Sequence, residues 1–286
     1  MKRLFVFPYS IWLAIFVIAP LLLVVYYAFT AVGADGYSYF TTRHIAMFFE
    51  GTAPGQPFFQ RLYIRVAMRS LQMALFTTII CFFLGYPLAY ILASKGFSHR
   101  TSLIFLFIVP MWMNFLVRTY AWLTILERNG LINTLLRNMG LPIIDILFTD
   151  AAVLLGMVYN FLPFMVLPVY TSLTRMDRRI IEAAQDLGAS PRHVFLRVVF
   201  PLSLPGVISG ITMVFMPAVA TFIIPNLLGG AQYFLLGSLI EQQFLRAGNW
   251  HFGAAVAVVL MIMMLISMII FSRVDKEDVK EGGTLY

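Results

Sequence analysis

Six stretches of this sequence run without a single Asp, Glu, Lys or Arg for about the thickness of a membrane. They are Tyr9–Thr30, Ser70–Ser94, Thr101–Val117, Ala151–Thr174, Val198–Ile240 and Ala247–Ser272. A helix rises about 1.5 Å per residue, so about 20 apolar residues cross the roughly 30 Å hydrocarbon layer. Thr101–Val117 is short, but an apolar tail continues past Arg118 to Leu126. Val198–Ile240 has the length for two crossings, yet Pro225, Gly229 and Gly230 interrupt it. It reads as one helix to about Pro225 and then an external re-entrant or interfacial piece. The expected fold is therefore an all-α polytopic membrane protein with six transmembrane helices. A single domain is expected over residues 1–286, with spans near 9–30, 70–94, 101–124, 151–174, 202–225 and 250–272. Met1-Lys2-Arg3 precedes the first run, and no small-residue cleavage pattern closes it. An uncleaved first span is expected rather than a signal peptide.

Composition agrees, since 12% of the residues are charged and soluble domains average about 25%. The net charge of +7 could point to nucleic acid in a soluble protein. Here the basic residues occupy short connections between apolar runs, where they act as topology signals and headgroup contacts. A lipid bilayer, not nucleic acid, is the expected partner of this charge. With both termini cytoplasmic, twelve of the 20 Lys and Arg residues fall inside and eight outside, in the sense of the positive-inside rule. Turn signals mark the first external segment at 33–36 and 53–57, and Gly140 and Pro142 break a short helix in the second. Cys81 is the only cysteine, which excludes a disulfide framework or a cysteine metal site. His44, His99, His193 and His251 are scattered without metal-ligand spacing.

The connection at 175–201, between the fourth and fifth spans, is the most informative segment. Asp177 is a good N-cap, and Ile180, Ala183, Ala184 and Leu187 recur at helical spacing as an apolar stripe. Gly188 stands where a helix-ending residue with positive φ belongs. Ser190-Pro191 then has the form of a second helix start, cap followed by first-turn proline. Pro201 and Pro205 mark the start of the fifth span.

Glu182-Ala183-Ala184, then Gly188 three residues on, then Val198-Val199-Phe200-Pro201 after nine more, resembles the cytoplasmic motif of ABC importer permeases. That motif reads Glu-Ala-Ala, three residues, Gly, nine residues, Ile-x-Leu-Pro; Val198 and Phe200 depart from it with other apolar residues. Further segments resemble the spermidine/putrescine (PotB-like) permease family. They are Ile108–Tyr120, Leu162–Tyr170, Gly229–Ala231 and Asn249–Ala255. The resemblance implies a type I ABC importer permease fold in a bacterial plasma (inner) membrane, moving a small organic solute, with a polyamine as the first candidate. It implies a coupling helix within Asp177–Ser190, with Glu182, Ala183, Ala184, Asp186 and Gly188 at the ATPase contact. It also implies a second, PotC-like permease, a PotA-like ATPase dimer and a PotD-like extracytoplasmic binding protein. The sequence has no Gly-x-x-x-x-Gly-Lys-Ser/Thr loop, so ATP and Mg are expected on the partner ATPase and no cofactor on this chain.

Polar residues inside spans are costly and often face a cavity. Pro110, Asn114, Arg118 and Trp122 fall four apart, along one face of a continuous helix. Tyr159, Asn160 and Pro163 share a turn, and Pro217, Thr221 and Pro225 repeat at four. Asn114, Tyr159, Asn160, Thr221 and Trp112 are the candidate pathway residues, since amide oxygens, carbonyls and aromatic faces can hold alkylammonium groups. Each also has a plain structural reading as a helix bridge, kink or interface anchor. Arg69 and Arg118 near the outer ends would repel a polycation unless they pair, for instance with Asp150 or Glu241. Rival readings are another cargo, such as an amino-acid derivative or organophosphonate, or a stand-alone secondary transporter. The latter often carries a mid-span carboxylate, and none is present. No nucleophile–base pair or paired carboxylates suggest an enzyme.

Overall fold

The computed structural model describes residues 2–33, 35–50, 61–94, 100–230 and 233–282. The turn signal at 53–57, and Lys95, His99 and Ala231, lie outside them. Five helices are long and apolar enough to cross a membrane: α1 (Pro8–Ala28), α3 (Leu62–Ala93), α7 (Asp150–Arg175), α9 (Pro191–Ala220) and α12 (Trp250–Arg273). Helices α4 (Arg100–Trp112) and α5 (Phe115–Leu126) form a broken span, with a turn of 102° between Ile104–Trp112 and Phe115–Asn138; counted as one span, it makes six. Short elements fill the connections. They are strands β1 (Thr30–Val32) and β2 (Ser38–Phe40), α2 (Arg43–Glu50), α6 (Leu131–Asn138), α8 (Arg178–Asp186), α10 (Ile223–Leu228) and α11 (Leu236–Glu241).

The chain divides into two compact units, residues 1–69 with 234–265 and residues 70–233 with 266–286. In the first, β1 and β2 pair antiparallel with Thr30 opposite Phe40, turning through Gly36 at φ 77°. Ala28 packs on Ala254, Ala255 and Val258, with Val24, Val25 and Phe244 around them. The His44 and His251 rings stack at 5.4 Å, and Nδ1 of His251 lies 3.0 Å from the Tyr27 carbonyl oxygen. A carbonyl only accepts, so that ring nitrogen carries the proton.

The second unit is built on α7 against α9. Small residues let these helices approach closely, as they do in membranes generally. A Cβ on Gly206 would lie 2.4 Å from the Ser172 Cβ and 2.8 Å from the Pro168 carbonyl oxygen. The two helices also bury Val153, Met157, Met165, Val166 and Val214. Asn133 of α6 clamps the following loop, donating to the Ile144 carbonyl at 2.9 Å and accepting from the Ile144 N–H at 2.8 Å.

Two expectations change here. The third span is not one continuous helix, so Pro110 does not share a helical face with Arg118 and Trp122. Pro110 lies in α4, Asn114 caps α5, and Arg118 and Trp122 lie on α5 beyond the bend. The Asn114 side chain accepts from the Leu116 N–H at 2.8 Å. That bond favours starting a new helix over continuing the old one. The fifth span ends at Ala220, short of Pro225, with Thr221 extended at ψ 141°. Pro225 has no N–H to offer the Thr221 carbonyl, and a fresh helix from Ile223 places it in a first turn, where none is needed. The helix begun at Pro191 runs on into the fifth span through a wide turn at Phe195–Val199.

Candidate functional site

Helix α8 follows α7 after an extended Met176. Asp177 caps it, accepting from the Arg179 N–H at 3.0 Å. It ends at Gly188, whose φ of 80° favours glycine. The Gly188 and Ala189 N–H groups return to the Gln185 and Ala184 carbonyls, closing the helix end. Ser190 precedes Pro191, and its hydroxyl lies 2.8 Å from Nδ1 of His193. Local chemistry thus fixes both ends of the helix.

No residue of α8 is buried. Leu187 is 89% exposed and Ile180 47%. Glu182, Ala183 and Asp186 are exposed, and Ala184 is half-buried. Ile180, Ala183 and Leu187 thus lie open beside the acidic side chains of Glu182 and Asp186. Sequence spacing brings these residues together on one short helix, and the structure keeps them there.

How α8 is fastened is not legible in the sequence. Its Arg178 guanidinium donates to the Ala93 carbonyl at 3.3 Å, at the carbonyl-rich C-terminus of α3, where a cation is favoured. Two cavities flank the start of α8. One, of about 300 Å³, is lined by Tyr90, Ser94, Leu173, Arg178, Glu182 and Val199. The other, of about 850 Å³, lies against α4, α7 and α9 and includes Thr171, Arg175, Asp177, Ile180 and Ser209. Helix α8 is thus joined to α3 through Arg178, to α7 through Met176-Asp177 and to α9 through the Gly188–Ser190 turn.

The expected pathway residues do not form one cluster. Trp112 ends α4 and is 77% exposed, and Asn114 uses its side chain as the cap of α5. Tyr159 is 38% exposed and meets Trp122 edge-on at 5.2 Å. Asn160 is buried within α7 and donates to the Gly156 carbonyl at 2.8 Å. Its Oδ1 is buried without a partner. Thr221 is buried at the break between α9 and α10. Arg118 is buried too, 5.8 Å from the Phe115 ring centroid. Glu241 pairs with Arg246 at 3.5 Å.

Residues 85–277 match the family described as binding-protein-dependent transport system inner membrane component. The chain is 39% identical over 268 residues to the spermidine/putrescine transport system permease protein PotB of Haemophilus influenzae, covering 93% of this chain and 91% of that one. It is 42% identical over 217 residues to PotB of Escherichia coli K12, covering 75% of this chain and 79% of that one. Its fold is similar to that of a chain in a bacterial alginate ABC transporter, crystallised in complex with an alginate pentasaccharide-bound periplasmic protein. The TM-score is 0.74, over 96% of this chain and 94% of the other, at 15% identity.

Proposed function

The chain belongs to the binding-protein-dependent transport system inner membrane components and is a permease subunit of an ABC importer; on that premise we propose that its cargo is a polyamine, spermidine or putrescine. It is a multi-pass transport subunit of the inner membrane rather than an enzyme. The cargo reading is supported by likeness to PotB over nearly the whole chain.

The observation that carries the mechanism is the capped α8, with its open apolar stripe and its Arg178 bond to the end of α3. ATP and Mg are bound by a PotA-like ATPase dimer, which presses on α8 at Glu182, Ala183, Ala184, Asp186 and Gly188. The push passes to α3, α7 and α9, and the route alternates between outward and inward openings. A PotD-like binding protein delivers cargo outside, and a PotC-like permease completes the route. Both termini are cytoplasmic, which places α8 with the ATPases. Asn114, Tyr159, Thr221 and Trp112 are the residues of this chain proposed along the route, together with Asn160.

The test is uptake of labelled spermidine and putrescine by proteoliposomes holding this chain with the permease, ATPase and binding protein encoded beside it. ATP-dependent uptake of either polyamine, unaffected by collapse of ion gradients, supports the reading. ATP-dependent uptake of a different solute, with polyamines ignored, overturns the cargo.

A further inference from the structure

The broken third span holds a charge that no described residue of this chain pairs with. Arg118 is 8% exposed, and its Nε is buried without a hydrogen-bond partner. An arginine stays ionised in proteins, so burial cannot be relieved by losing the proton. The face of Phe115, 5.8 Å away, supplies part of the lost solvation. It supplies no acceptor for the Nε–H, and a buried cation that lacks part of its hydrogen bonding is unfavourable. Among the described residues, no carboxylate pairs with Arg118.

Depth and shape narrow the source of the missing anion. Helix α4 starts at Arg100 and has 13 residues. At about 1.5 Å per residue it rises about 20 Å, less than the roughly 30 Å hydrocarbon layer. The stretch Phe115–Asn138 turns by 102° from Ile104–Trp112, so Arg118, one turn past the break, stays near the depth of the break and below the phosphates. Broken backbone at such depth persists only against protein or a water-filled cavity. Trp112, Met113, Leu116, Val117 and Tyr120 are all exposed around the break.

Resting on the importer reading, we propose that this bend is a seam for the second permease subunit, which supplies an Asp or Glu carboxylate to Arg118. The pair neutralises a cation that would otherwise repel a polyamine. It also makes the outer half of the third span complete only in the assembled importer.

The test separates this chain alone from the assembly. In the isolated, detergent-solubilised chain, Arg118→Met removes an unpaired buried charge, and its unfolding midpoint stays level or rises. In the importer co-expressed with its neighbouring permease and ATPase, the same variant weakens retention of the second permease by about 30-fold or more. Arg118→Lys recovers part of that loss. Arg118→Glu is rescued by changing one acidic residue of the second permease to Arg. Unchanged retention in Arg118→Met overturns the proposal, as does equal destabilisation of chain and assembly. Phospholipid that stays bound to the wild-type chain and is lost from Arg118→Met makes a lipid phosphate the anion, and also overturns it. If the wild-type chain holds no second permease, the importer reading itself fails, which is a distinct result.

Discussion

Helices α5 and α8 begin alike and end in opposite situations. Each follows a membrane helix after a sharp break, and each starts on an Asx side chain that accepts from the N–H two residues on. The distances are 2.8 Å for Asn114 and 3.0 Å for Asp177. Helix α8 then buries no residue, and Leu187 at its end is the most open. Helix α5 buries Arg118 and Thr119. On the proposed reading α8 lies in water, where an open face costs little until a partner covers it. A buried guanidinium nitrogen without an acceptor is costly, which sets α5 apart from α8.

Changes on α8 have the largest expected effect. Glu182→Lys or Gly188→Asp drives ATP-dependent uptake to background while the amount of inserted chain, measured on isolated membranes, stays normal. Normal uptake by both variants breaks the assignment of α8 as the coupling element. Gly206→Leu comes next, since its Cβ would meet Ser172 and the Pro168 carbonyl oxygen. It destabilises the α7–α9 pair by about 1–3 kcal/mol, seen as a lower unfolding midpoint in detergent; an unchanged midpoint means that the helices can separate freely.

The two caps sharpen the comparison further. Asp177→Ala and Asn114→Ala each cost about 1 kcal/mol of helix stability. Asp177→Ala is expected to lower uptake per ATP hydrolysed. Asn114→Leu is expected to change substrate dependence or rate more than assembly. Equal effects of both on assembly alone would make the caps interchangeable and remove Asn114 from the route.

The smallest effect concerns His44, whose Nε2 is also buried without a partner. Burial first, then the charges of His251 and Arg43, hold its pKa below the usual 6.5, against a raising bond to the Thr30 backbone. A histidine with a depressed folded pKa favours the fold fully above its unfolded pKa. That advantage is lost as pH falls through 6.5 toward the folded value. The unfolding midpoint of the wild type therefore drops between pH 7.5 and 5.5 by more than that of His44→Gln. Parallel curves would mean that His44 is solvated.

Much of this molecule follows from local sequence. Charge-free runs locate the crossings, because hydrocarbon excludes charge regardless of what packs beside it. Asp177 and Gly188 delimit α8, because a cap and a positive φ act within a few residues. Asn114 carried the same kind of signal, a good cap four residues after Pro110. Helical spacing instead suggested one continuous face.

What only the tertiary structure decided depends on distant partners. Arg178 reaches the end of α3, His44 stacks on His251, and Gly206 lies against Ser172. The burial of Arg118 belongs with these, since the environment of a side chain is set by whichever segments fold over it, and sequence spacing along one helix carries no record of them.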